Sequence, residues 1–214
     1  MPMKKNSFIT LNFLFFSTIV FSETLEKNPA ITAEIPINDI QHYTQYSDQQ
    51  KKLIQAAHAL TQQNLTYTYG SSTPANKGMD CSGTIYYLLN TVTHLDVPRQ
   101  ANEMYLWAEK EGRLHFTNTD DFQSEQFKDL QPGDLLFWSG TYAVNRTPPI
   151  THVMLYLGKN IENNPLMFGS SDGRTYLGEK MRGVSIFDFK LPKSGDKAHF
   201  VGYSCIPNYT CAKK

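Results

Sequence analysis

The sequence predicts an α+β fold, with helices in its first part and an antiparallel sheet in its second. Three observations predict it. Apolar residues recur at helical spacing between residues 53 and 60. After Pro132-Gly133 the pattern changes to short runs rich in apolar, aromatic and branched residues. Helices first and strands second argue against alternating βαβ units. With 214 residues, 40% hydrophobic and 13% aromatic, the chain can bury a core of one domain or slightly more.

The first helix opens on Ser47-Asp48-Gln50, a capping box in which Ser47 caps and Gln50 reaches back. Leu53, Ile54, Ala57 and Leu60 form its buried stripe, and it is expected to run to about Gln63. A loop from Tyr67 to Asp80 follows. A second helix begins at Asp80 or Cys81 and reaches about Asn90, and a third covers Gln100 to Glu111, stopped by Gly112. Strands are expected at 135–138, 152–157, 166–168, 184–189 and 200–205. The polar stretches 114–127 and 139–150 read as loops.

Residues 1–22 read as an export signal rather than as fold. Lys4 and Lys5 precede an apolar run from Phe8 to Phe21, and Val20 and Ser22 are small enough for a cleavage site. The run is shorter than the roughly 20 residues a membrane span needs. The expected product is an exported protein, periplasmic or secreted, with no integral span after cleavage. Residues 23–46, with Pro29 and Pro36, read as a linker or an arm lying on the domain, and 47–214 as the folded domain. The chain has 20 basic and 20 acidic residues and no long basic run, which excludes an electrostatic nucleic-acid binder.

The three cysteines are Cys81, Cys205 and Cys211. In an oxidising compartment Cys205 and Cys211, separated by a segment with a turn-forming Pro-Asn, are expected to pair. Cys81 is then the odd thiol, either reactive or buried and inert. It stands in Asp80-Cys81-Ser82-Gly83, where a loop feeds a helix, and the free N–H groups and dipole there favour a thiolate and an oxyanion. Of six histidines, only His152 opens a strongly apolar strand directly after a polar, proline-containing loop. An imidazole so placed can point at the start of a packed helix and act as the base for a thiol.

With these residues the sequence resembles the NlpC-type family of papain-like bacterial cell-wall peptidases. Tyr67-Thr68-Tyr69-Gly70-Ser71 is similar to the family's Y-x-x-G-G loop, and Asp80-Cys81-Ser82-Gly83 matches D-C-S-G without change. Val97-Pro98-Arg99 resembles L-P-R, and Leu130 to Leu135 matches L-x-P-G-D-L. Thr151 to Gly158 resembles S-H-V-G-I-Y-x-G, with Met154 where a glycine is usual. The resemblance implies a papain-like fold, Cys81 as nucleophile and His152 as base. It also implies Asp80 and Ser82 as holders of the substrate's amino end, and Tyr67 either assisting an oxyanion or packing in the core. The family's third polar residue, often a histidine, has Gly169 in its place. Ser170 is the first choice to orient His152, with Asn164, Ser171, Asp172 or a backbone carbonyl as alternatives. Cys81 and His152 are 71 residues apart, longer than in compact members, which makes 139–150 a candidate specificity loop.

The function implied is hydrolysis of peptidoglycan stem peptides, at the bond between γ-D-glutamate and the diamino acid. The alternatives are a papain-like amide hydrolase or acyl transferase with a non-wall protein substrate, and a wall-binding protein of weakened activity. The mechanism needs no cofactor, and the sequence has neither H-E-x-x-H nor a paired C-x-x-C.

Overall fold

The structure, a computed structural model, describes Met1 and residues 28–211. The expected export signal lies, but for Met1, outside the described residues. No helix among the described residues is long and apolar enough to cross a membrane.

Three helices form one layer. Helix α1 (Asp48–Thr61) starts on the expected capping box: Gln50 N–H donates to Ser47 Oγ at 3.3 Å, and Ser47 N–H donates to Gln50 Oε1 at 2.8 Å. Helix α2 (Cys81–Thr93) turns Ile85, Leu88 and Leu89 inward, each burial worth roughly 1.5–3 kcal/mol. Helix α3 (Ala101–Lys110) has a second capping box, from Gln100 and Glu103. A short parallel pair, β1 (Thr66–Tyr67) and β2 (Gly78–Met79), brackets the loop 68–77 and delivers the chain to α2.

The second layer is a six-stranded sheet. Its strands are β3 (Leu114–Phe116), β4 (Leu135–Ser139), β5 (Ile150–Lys159), β6 (Pro165–Tyr176), β7 (Glu179–Asp188) and β8 (His199–Ser204). The spatial order is β3-β8-β4-β5-β6-β7 and every pairing is antiparallel. The predicted α+β class thus holds, with two local corrections. Residues 114–116, read as loop, form β3 by pairing with β8. Strand β6 continues eight residues past its apolar run to Tyr176, because β7 pairs with it as a long hairpin.

Both faces of the sheet are apolar. Val153, Leu155, Leu157 and Phe168 pack under the helices. Met154, Tyr156 and Trp138 meet Phe187, Phe189 and Phe200 in a second core on the opposite face. This is why β4 reads Leu-Leu-Phe-Trp, apolar without alternation.

Residues 28–46 lie along the outer edge of β7 and across the end of β5. Ile31 and Arg182 exchange N–H···O bonds of 2.9 and 2.8 Å, and the N–H of Gln41 donates to the Lys159 carbonyl at 2.8 Å. Ile35 and Ile40 are buried in the helix-side core. At the other terminus Cys205 and Cys211 are joined by a disulfide, and Cys81 is the one free cysteine among the described residues.

Candidate active site

Cys81 is the first residue of α2 and Asp80 is its N-cap. The carboxylate of Asp80 accepts from Gly83 N–H at 2.6 Å, Gly70 N–H at 2.8 Å, Arg99 Nη2 at 3.0 Å and Ser82 Oγ at 3.4 Å. All its acceptor capacity is thereby committed. Ser82 Oγ also accepts from Arg99 Nη1 at 2.9 Å. Asp80 and Ser82, the residues expected to hold a substrate amine, both line the cleft, and their polar atoms also build the cap. Gly83 is required by space, since a Cβ there would lie 2.0 Å from the Ser71 carbonyl oxygen.

The Cys81 thiol donates to the carbonyl of Thr151 at 3.9 Å. The sulfur therefore rests against the start of β5, one residue from His152. Two clefts meet here. One, of about 290 Å³, includes Cys81, Asp80, Ser82 and Arg99, and the other, of about 440 Å³, includes His152, Ser171, Arg174 and Lys197. Tyr67, Tyr142 and Thr151 line both. Tyr67 stands where the two clefts meet, the first of them lined by Cys81. Its hydroxyl is kept protonated, first by burial and then by the nearby Cys81 and Asp80.

The electrostatics differ from the expected thiolate. Burial, then the charge of Asp80, pushes the Cys81 thiol up to about 11, although the N–H groups of Val153, Ser82 and Cys81 pull the other way. Only 7% of the residue is exposed, so desolvation outweighs the helix terminus. Burial, then the charge of Arg174, holds His152 well below the ordinary imidazole range. Both shifts favour the neutral forms of the thiol and the imidazole.

Ser170 does not orient that imidazole. It is fully buried and its hydroxyl donates to the carbonyl of Met79 at 2.7 Å, on the helix side of the sheet. It anchors the backbone just ahead of Cys81. The alternatives Asn164 and Asp172 are engaged with Glu162 (3.3 Å) and Arg182 (3.0 Å). Nε2 of His152 is buried with no hydrogen-bond partner among the described residues. What fixes the ring is packing: Trp138, its register partner on β4, meets it edge-on at 5.8 Å. Gly169 faces Met154, whose Sδ would lie 2.4 Å from a Cβ at 169. The two departures from the family pattern are thus one exchange of volume across adjacent strands.

Sequence reasoning missed Trp138, Tyr142 and Arg174. Tyr142 lies in the loop singled out before His152. Trp138 carried no signal beyond its place in an apolar strand. Arg174 lies in the polar continuation of β6, beyond where its apolar run stops.

A buried thiol at a helix start, set against the start of a strand whose third residue is a histidine, has the arrangement of a papain-like cysteine site. The chain belongs to the NlpC/P60 family, whose model matches residues 64–181. It is 34% identical over 104 residues to the probable endopeptidase YafL of Escherichia coli strain K12, covering 48% of this chain and 35% of that protein. It is 27% identical over 135 residues to the gamma-DL-glutamyl hydrolase of Bacillus subtilis strain 168, covering 59% and 27%. It is 31% identical over 92 residues to the murein DD-endopeptidase MepH of Escherichia coli strain K12, covering 43% and 28%. The matched segments span about a third or less of the length of these relatives.

Proposed function

We propose that the chain is an exported cysteine peptidase that cleaves peptidoglycan stem peptides, at the bond between γ-D-glutamate and the diamino acid. The observation that carries this reading is the Cys81 sulfur at the start of α2, against Thr151 and one residue from His152, where two clefts meet. The names of the relatives support the wall as substrate. They include both a glutamyl hydrolase and a DD-endopeptidase, so the choice of bond rests on the sequence reading.

In this mechanism the thiol proton now donated to Thr151 passes to His152 as the sulfur attacks the scissile carbonyl. The first N–H groups of α2 and the Tyr67 hydroxyl receive the negative charge that develops on the carbonyl oxygen. His152 returns the proton to the departing amine, and water then hydrolyses the thioester. Starting from a neutral pair, proton transfer accompanies attack instead of preceding it.

A second reading, a wall-binding protein of low turnover, is favoured by one observation, the unpartnered Nε2 of His152. Incubating purified cell wall with the protein and reading the fragments by mass spectrometry separates the two. New amino ends on the diamino acid, absent with Cys81→Ala and with His152→Ala, are expected. Cleavage by folded Cys81→Ala sinks the mechanism, cleavage at a D,D bond corrects the bond, and binding without any fragment favours the second reading.

A further inference from the structure

Arg174 is a guanidinium without a counter-ion. None of the ion pairs or hydrogen bonds among the described residues involves it. Its carbon Cζ lies 4.5 Å from the centroid of Trp138, the ring that also packs on His152. It faces the cleft that holds His152, together with Lys197. The acids lining the two clefts are Asp80 and Asp172, and each is already paired at 3.0 Å, with Arg99 and with Arg182.

Its aim has a backbone cause. The register of β6 on β7 runs Asp172↔Arg182 and then Thr175↔Lys180, so Gly173 and Arg174 together oppose the single residue Met181. Such a bulge shifts the alternation by one. Without it Arg174 would share a face with Ser170, under the helices. With it Arg174 reaches the face of Trp138 and His152. A planar guanidinium held by an aromatic ring, unpaired and open to a cleft, is a receptor for a carboxylate.

We propose that Arg174 binds a carboxylate carried by the substrate residue on the amine side of the scissile bond. The side follows from the proposed mechanism, on which this inference rests. His152 must protonate the departing amine, so that residue occupies the cleft containing His152 and Arg174. The acyl portion then lies in the cleft of Asp80, Ser82 and Arg99. Lys197, exposed at the same rim, adds attraction at longer range.

Two measurements test this. In the first, wild-type protein and Arg174→Gln cleave paired peptides that differ only in a free carboxylate or a carboxamide on the amine-side residue. The wild type is expected to prefer the acid by about tenfold or more in kcat/KM. Arg174→Gln should bring that preference to within about twofold, with Arg174→Lys between them because a point charge replaces the fork. The second measurement needs no peptidase activity. Cys81 is alkylated with iodoacetate and with iodoacetamide at one pH, and the ratio of the two rates is taken, which cancels the thiolate fraction. The ratio should fall at least about threefold in Arg174→Gln and less in Lys197→Gln. If the wild type cleaves neither peptide, the proposed function fails and the alkylation ratio alone decides the anion site. A ratio unchanged in both Arg174→Gln and Arg174→Lys, or an acid preference that survives Arg174→Gln, overturns the assignment.

Discussion

At the scale of single residues, two opposed shifts bear on the proposed chemistry. The Cys81 thiol is raised to about 11 and the His152 imidazole is lowered, both first by burial. The sign follows directly: a raised thiol holds its proton at neutral pH, and a lowered imidazole is an empty base well into the acid range. Alkylation of Cys81 by neutral iodoacetamide should therefore climb with pH through the alkaline range towards about 11. A plateau reached below pH 8 would instead reveal a preformed thiolate–imidazolium pair. The placement of Cys81 and His152 was legible in the sequence, because a loop-to-helix junction and a strand start are local patterns. Their protonation was not, because desolvation depends on what packs around them. The same distinction explains Ser170. Its place in the chain was evident, but its face depends on pleat and register, and those turn it towards Met79.

Among the elements, the helix starts read almost to the residue because their caps are written in side chains: Ser47 with Gln50, and Asp80 with Gly83. Strand lengths read poorly. Long hairpins such as β6–β7 are held by backbone bonds that polar residues make as well as apolar ones. The bulge at Gly173-Arg174 has no composition signature beyond one glycine. The exchange of bulk between Met154 and Gly169 is testable at this scale. Gly169→Ala sets a Cβ into Met154 Sδ and should destabilise by about 1–3 kcal/mol. Met154→Ala alone should also cost stability, through the cavity it leaves. The double variant should be less destabilised than the sum of the two, by at least about 0.5 kcal/mol in a denaturant-unfolding cycle. Strict additivity would show that the two positions do not share their space.

For the whole molecule, the family match at 64–181 leaves out elements that complete the core. Strand β8 lies inside the sheet between β3 and β4, and residues 28–46 bury Ile35 and Ile40 under the helices. Removing residues 1–46 should expose the surface those two side chains cover and cost roughly 3–6 kcal/mol, lowering the melting temperature. An unchanged melting temperature would show that the arm lies outside the cooperative unit. Sequence reading left this segment open between linker and arm, since its few apolar residues follow no period. The C-terminal bridge has a practical bearing of its own. Cys205 and Cys211 are each partly exposed, whereas Cys81 is buried. Their short loop limits the bridge to about 2 kcal/mol of stabilisation. A reductant added at the bench to protect a free thiol will meet this clasp before it meets Cys81. It will cut the covalent tie on the segment beyond β8, which carries Ile206 into the core and sets Thr210 against Gly133. Storage with dithiothreitol therefore changes two things at once, and a gain in activity on reduction cannot by itself be credited to Cys81.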